Sequence, residues 1–239
     1  MAEFVHLWVY LSSTPLFGLT ATLVTYVLAH AVYDFFGRAP WANPVLWSVL
    51  VLGALLLATR TPYPTYFAGA QFVHVLLGPA VVALAWPLWL RRAELRTRGV
   101  ALLIAALIGG GVAGGSAVAL AWAFGLPQDV TLSLAPKSVT APVAMGIAER
   151  LGGIPALAAV FAVITGMVGA LSAKYLFDLL GIRDLAVRGF ALGTASHGIG
   201  AARAMQVDPD AGAYAGIALG LQVLVASLLM PVVARWLLG

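Results

Sequence analysis

Apolar residues run through this chain in long blocks, cut by short polar interruptions. A membrane-spanning helix needs about 20 mostly apolar residues. Segments 14–36, 44–59, 65–90, 99–124, 153–181, 186–205 and 211–238 meet or approach that requirement, which predicts an all-α membrane protein with about seven crossings. The first residues, with Phe4, Trp8 and Tyr10, read as an aromatic anchor at the membrane interface. The block 128–150 is different. It is apolar but carries Lys137 and is cut by Pro136 and Pro142, so it reads as two half-segments that dip in and return, eight crossings being the alternative.

Composition narrows the class. Of 239 residues, 62% are hydrophobic and only 9% charged, with a mean hydropathy of +0.99. A soluble domain has roughly a quarter of its residues charged, so the expected surroundings are a lipid bilayer. With no cysteine, disulfides and thiolate metal sites are excluded, and neither a metal nor a cofactor is expected. A net charge of +4 fits arginines in cytoplasmic loops better than nucleic-acid binding. The N-terminus lacks the pattern of a cleaved signal peptide and is read as part of the mature protein. Arg91, Arg92, Arg96 and Arg98 crowd one short stretch, which the positive-inside rule puts in the cytoplasm. The expected topology then has the N-terminus outside and the C-terminus inside a bacterial inner membrane.

Two of the crossings look broken. In "LLGPAVVALAWP" Gly78 and Pro79 interrupt segment 65–90, and in "GTASHGIGAARA" Gly193, Gly198 and Gly200 interrupt segment 186–205. Each broken segment is the middle of a triplet. One membrane domain, 1–239, is expected, with a first repeat over 44–124, the re-entrant segment 128–150 and a second repeat over 153–238, in the inverted arrangement of many transporters.

Breaks free backbone N–H and C=O groups that lipid cannot satisfy, so they belong around a wet cavity. Lys137 either snorkels to the interface or faces that cavity. With Ser138 and Thr140, both suited to cap a half-helix over 141–150, it makes an anion cradle. Thr194, Ser196, His197, Gly198 and Gly200 form a second polar cluster, with Arg203 at its edge. The bland reading of this cluster is tight helix packing through small residues. His74 reads as packing, and Trp86, Trp89 and Trp236 as interfacial. The two clusters are expected to meet near the bilayer midplane with "LGPA" opposite. An intramembrane Ser–Lys hydrolase is the enzymatic rival, but adjacent residues on a helix point about 100° apart, and Ser133 with Lys137 would need an unbroken turn. No enzymatic activity is expected.

Three stretches carry a resemblance: "LLGPAVVALAWPLW" (76–89), "LAPKSVTAPVAMGIAERLGGIPALAAVFAVITGMVGA" (134–170) and "VRGFALGTASHGIGAARAM" (187–205). Together they resemble the LrgB/CidB family, and the C-terminal half of the plastid glycolate/glycerate transporter is similar. The LrgA-like N-terminal half of the plastid protein has no counterpart in this chain. Where family members often have threonine or isoleucine, this chain has Ala141, Val143 and Gly146. The resemblance implies either an antiholin-like regulator of murein hydrolases or a transporter of small monocarboxylates such as pyruvate, glycolate or glycerate. It also implies a small LrgA/CidA-type membrane partner. A homodimer is a further expectation.

Overall fold

The computed structural model describes residues 15–76, 79, 82, 85–90 and 92–238. Phe4, Trp8, Tyr10, Gly78 and the side chain of His74 lie outside the described residues. Every regular element among those described is helical. The chain packs as two units, Met1–Val82 and Ala83–Gly239, so the expected 44–124 repeat is shared between them.

The first unit holds α1 (Pro15–Phe35), α2 (Pro44–Ala58) and α3 (Tyr63–Val75). Asn43 starts α2: its Oδ1 accepts the Val45 and Leu46 amides at 2.9 and 3.2 Å, and Pro44 occupies a position where a missing N–H is harmless. Helices α1 and α3 touch backbone to backbone, because Gly18 leaves no Cβ between itself and Tyr66 and Ala70. Thr22 and Tyr66 share a 2.6 Å hydroxyl contact beside that crossing.

The second unit contains α4 (Ala85–Leu90), α5 (Arg92–Ala123), α6 (Gln128–Leu134), α7 (Ala141–Leu151), α8 (Pro155–Leu179), α9 (Leu185–Val207) and α10 (Pro209–Leu238). Among the described residues four helices are long and apolar enough to cross a membrane: α1, α5, α8 and α10. Large apolar side chains stand exposed along them, Val27, Ile108, Val168 and Leu228 among them, the surface a bilayer covers. The protein is a membrane protein.

Two of the predicted segments fold back. In a continuous helix Ser133 and Gly153 would stand about 30 Å apart. Instead, a Cβ on Gly153 would lie 2.9 Å from the Ser133 amide nitrogen, and the Ile154 amide donates to Ser133 Oγ at 2.6 Å. The chain descends through α6, turns over residues 135–140, and returns through α7 to a left-handed cap at Gly152.

The second fold-back corrects the expectation of a crossing over 186–205. Gly189 abuts Ala211, and Gly212 abuts Met205, although Gly189 and Met205 would be about 24 Å apart in a straight helix. The reversal is at His197, whose backbone has φ 42° and ψ −135°. Residues 185–196 and 198–207 are therefore the two arms of a hairpin rather than one kinked span. Its first arm runs parallel to α10, with Gly189 against Ala211 and Gly193 against Ala215.

Candidate functional site

The two hairpins enter the second unit from opposite ends of α8. The first has its base beside the start of α8, at Ile154, and the second follows directly from its end. Both tips come to the same part of that helix. Val139 and Ala144, at the first tip, share an apolar cluster with Ala158 and Ala162. At the second tip the His197 Nε2–H donates to the Ala162 carbonyl at 2.7 Å.

Each tip begins a helix. At the first, residues 135–138 are turns, Thr140 is the N-cap of α7, and Pro142 lies in its first turn. Pro142 therefore starts a helix instead of breaking one. Pro136 is fully buried in the turn. Thr140 makes no capping hydrogen bond, contrary to the role its residue type suggests, so the first amides of α7 point onward without a side-chain acceptor from it. Its own Oγ1 is buried with no hydrogen-bond partner. Ser138 is buried, and half-buried Lys137 brings Nζ to 3.4 Å from Ser138 Oγ. Those neighbours meet because the stretch is a turn, in which the 100° rule for helices does not hold. Ser133 is not available to Lys137: its hydroxyl donates to Asp129 O and accepts from Ile154 N.

At the second tip the arm over 198–207 begins immediately after the reversal. Thr194 and Ser196 are buried on the incoming arm, and Thr194 Oγ1 has no hydrogen-bond partner. The Thr194 methyl lies against Gly109 of α5, while Ser196 presses on Gly169 and the His197 ring on Gly166, both of α8. Gly200 is required by the reversal: a Cβ there would lie 2.7 Å from Leu192 O and 2.7 Å from Ser196 Cβ. Gly198 faces open space.

Arg203 lies elsewhere. It is buried in the outgoing arm and lines a cavity of about 200 Å³ with Lys174 and Arg188. Asp208 accepts the Asp210 and Ala211 amides and caps α10.

Several participants escape the sequence reading. Gly166 and Gly169 supply the surface on which the second tip rests, and the Ala162 carbonyl holds its imidazole. Gln222 is buried in α10, where Nε2 donates to Ala106 O of α5 at 2.6 Å and the amide packs on Gly110. A lone amide in the apolar run 216–226 was its available signal. Gln222 also lines a mostly apolar cavity of about 280 Å³ between α5, α6 and α10.

Known proteins are similar to this chain over most of its length. A "Holin-like protein CidB" of Staphylococcus aureus (strain Mu50 / ATCC 700699) is 30% identical over 212 residues, covering 88% of this chain and 92% of its own. The "Uncharacterized protein YxaC" of Bacillus subtilis (strain 168) is 34% identical over 216 residues, covering 90% and 93%. A Haemophilus influenzae protein is 34% identical over 193 residues, covering 81% and 84%. No solved structure matches the chain. Residues 22–236, which hold α2 to α9 and both hairpins whole, match the LrgB-like family, and the chain belongs to it.

Proposed function

We propose that the protein transports small monocarboxylates, of the pyruvate, glycolate or glycerate type, by alternating access around the two hairpin tips. The observation that carries this reading is a pair of buried hydroxyls, Thr140 and Thr194, that lack hydrogen-bond partners, one at each tip. A buried hydroxyl without a partner is destabilising by about 1–3 kcal/mol, so such groups await something. Both tips also start helices, whose N-terminal amides and dipole favour an anion. Lys137 supplies the full positive charge. In this reading its ammonium and the first amides of α7 take one carboxylate oxygen. Ser138, Thr140, Thr194, Ser196 and His197 select the remaining oxygens, and Gly198 and Gly200 allow close approach.

The same reading sets a topology. With the arginine-bearing start of α5 in the cytoplasm, α5 runs outward and the first hairpin enters from outside. Helix α8 runs back, and the second hairpin enters from the cytoplasm. The C-terminus then ends outside, opposite to the sequence expectation, because 185–207 returns to the side it came from. Helix α5 with the first hairpin and α8 with the second form the inverted pair, a different division from 44–124 and 153–238.

The test is uptake of radiolabelled pyruvate and glycolate into proteoliposomes. The wild type should accumulate label, and Lys137→Ala should abolish uptake while still inserting and purifying. Equal uptake by the two would remove Lys137 from the site. The holin-like name of the Staphylococcus relatives fits a second reading equally well, an antiholin-like regulator of murein hydrolase export that carries no substrate itself. Absence of uptake by correctly inserted wild type would support that reading.

A further inference from the structure

The apolar cavity between α5, α6 and α10 plays no part in the chemistry of the hairpin tips. It exists because α5 carries Gly110, Gly111, Gly114 and Gly115 along this wall. A Cβ on Gly110 would press on Gln222 Oε1, and one on Gly114 would lie 3.2 Å from the Ala135 carbonyl oxygen. A Cβ on Gly111 or Gly115 would meet nothing within 4 Å. Missing side chains thus leave a space of about 280 Å³. An apolar cavity of about 150 Å³ holds one benzene, so this one takes roughly a dozen heavy atoms.

The lining defines what fits. Among the described residues that line the cavity none is charged, and Leu107, Val118, Val225 and Leu229 make it mostly aliphatic. A carboxylate would enter without a counter-charge, a costly transfer, so the anions proposed for the tips do not belong here. Gln222 is only 2% exposed and keeps one unused acceptor. Its Nε2 donates to Ala106 O at 2.6 Å, and a carbonyl can only accept, so the amide cannot be turned round. Its Oε1 is left beside Gly110 with no hydrogen-bond donor among the described residues. Thr131 is the other buried polar side chain on the wall. Its hydroxyl already donates to Pro127 O at 3.0 Å, leaving only lone pairs. The buried wall therefore accepts a donor and supplies none. Leu107, Trp122 and Leu229 line the cavity and are 37%, 54% and 43% exposed, on helices that span the bilayer. Entry is from lipid.

We infer that this cavity binds a neutral aliphatic alcohol drawn from the bilayer. The hydroxyl donates to Gln222 Oε1, and the chain lies along the glycine face of α5. Leu132 and Ala135 line the same cavity, so the occupant touches the first hairpin where its turn begins.

The probe is decanol with a diazirine on its chain, photo-crosslinked to the full-length protein in phosphatidylcholine nanodiscs. Peptide mass spectrometry reads the labelled positions. Labelling should saturate and concentrate on the cavity-lining stretches 107–122 and 222–230. Unlabelled decanol should displace the probe about tenfold better than decane at equal mole fraction in the lipid, the worth of one hydrogen bond. Gln222→Met keeps the length of the side chain and removes the acceptor. It should retain labelling and lose the preference for the alcohol. Gly111→Leu and Gly115→Leu put side chains into open space on this wall and should each cut labelling. Equal displacement by decanol and decane in the wild type overturns the inference. So does an alcohol preference that survives Gln222→Met, or labelling spread evenly over the exposed faces of α1, α5, α8 and α10. The wild-type comparison needs no variant, so a variant that misfolds does not shield the inference. The readout is equilibrium binding of a neutral ligand, so a failure of carboxylate uptake in proteoliposomes leaves it standing.

Discussion

The first hairpin is fastened at its base and the second at its tip. Ser133 Oγ takes the Ile154 amide where the first hairpin closes, while its tip carries Lys137 and a turn that contains a buried proline. The second is pinned where it reverses, by His197 on Ala162, and its arms lie on neighbours that glycine brings to backbone distance. Proline and a polar turn make the first reversal locally. The second depends on tertiary contacts. His197 occupies a region of backbone space that glycine prefers, which is destabilising by about 1–3 kcal/mol unless its surroundings hold it. The hydrogen bond to Ala162 and the seat on Gly166 are what hold it.

The largest expected effect follows from the backbone contact of the second hairpin with α10. Gly193→Val places three extra carbons where Ala215 backbone already stands, and should destabilise by about 3 kcal/mol or more. Thermal unfolding in detergent, with loss of the monodisperse peak, is the readout. A melt equal to wild type would break the contrast between the hairpins. Ser133→Ala comes next. Removing the acceptor for a part-buried amide should cost about 1–2 kcal/mol and speed hydrogen exchange at Ile154. Unchanged exchange there would show that the base is held by something else.

A smaller effect separates latch from strain at His197. His197→Ala loses the hydrogen bond and keeps the unfavourable backbone, whereas His197→Gly loses the bond but relaxes the backbone. The glycine variant should be the more stable by about 1 kcal/mol, measured as a difference in melting between the two. An alanine variant more stable than the glycine variant would remove strain from the account. The smallest effect is a gain. A Cβ on Gly146 of α7 meets nothing within 4 Å, so Gly146→Ala should stabilise by up to about 1 kcal/mol. A loss there would mean that the first hairpin is also packed on glycine.

The breaks at 136–142 and 193–200 were legible in the sequence, but not what each break does. Pro136, Pro142 and the polar run between them announce an interruption, and α7 starts one residue after Thr140, where the capping pattern put it. Segment 186–205 has the length of a crossing, and length cannot tell one span from two short arms. The difference rests on one residue's φ and ψ and on which glycines meet distant backbone. Arg188 and Arg203 were the available warning: α9 is absent from the helices apolar enough to span. Arg203 was grouped with His197 by proximity along the chain. The fold-back turns the outgoing arm toward Lys174, so Arg203 lines the cavity there while His197 packs on Gly166 of α8. The cradle of Gly166 and Gly169 was unreadable because glycine in an apolar run carries no direction.

The meshing of Gly189 with Ala211 and of Gly193 with Ala215 acts as a ruler. Both pairs are spaced by the same stretch of chain, which must reach the tip, return, and enter α10 in step. One residue added between 198 and 207 would turn all that follows by about 100° and present side chains where backbone now meets glycine. Length itself is therefore part of this hairpin's information, and its tolerance to insertion should be far lower than that of the turn at 124–127.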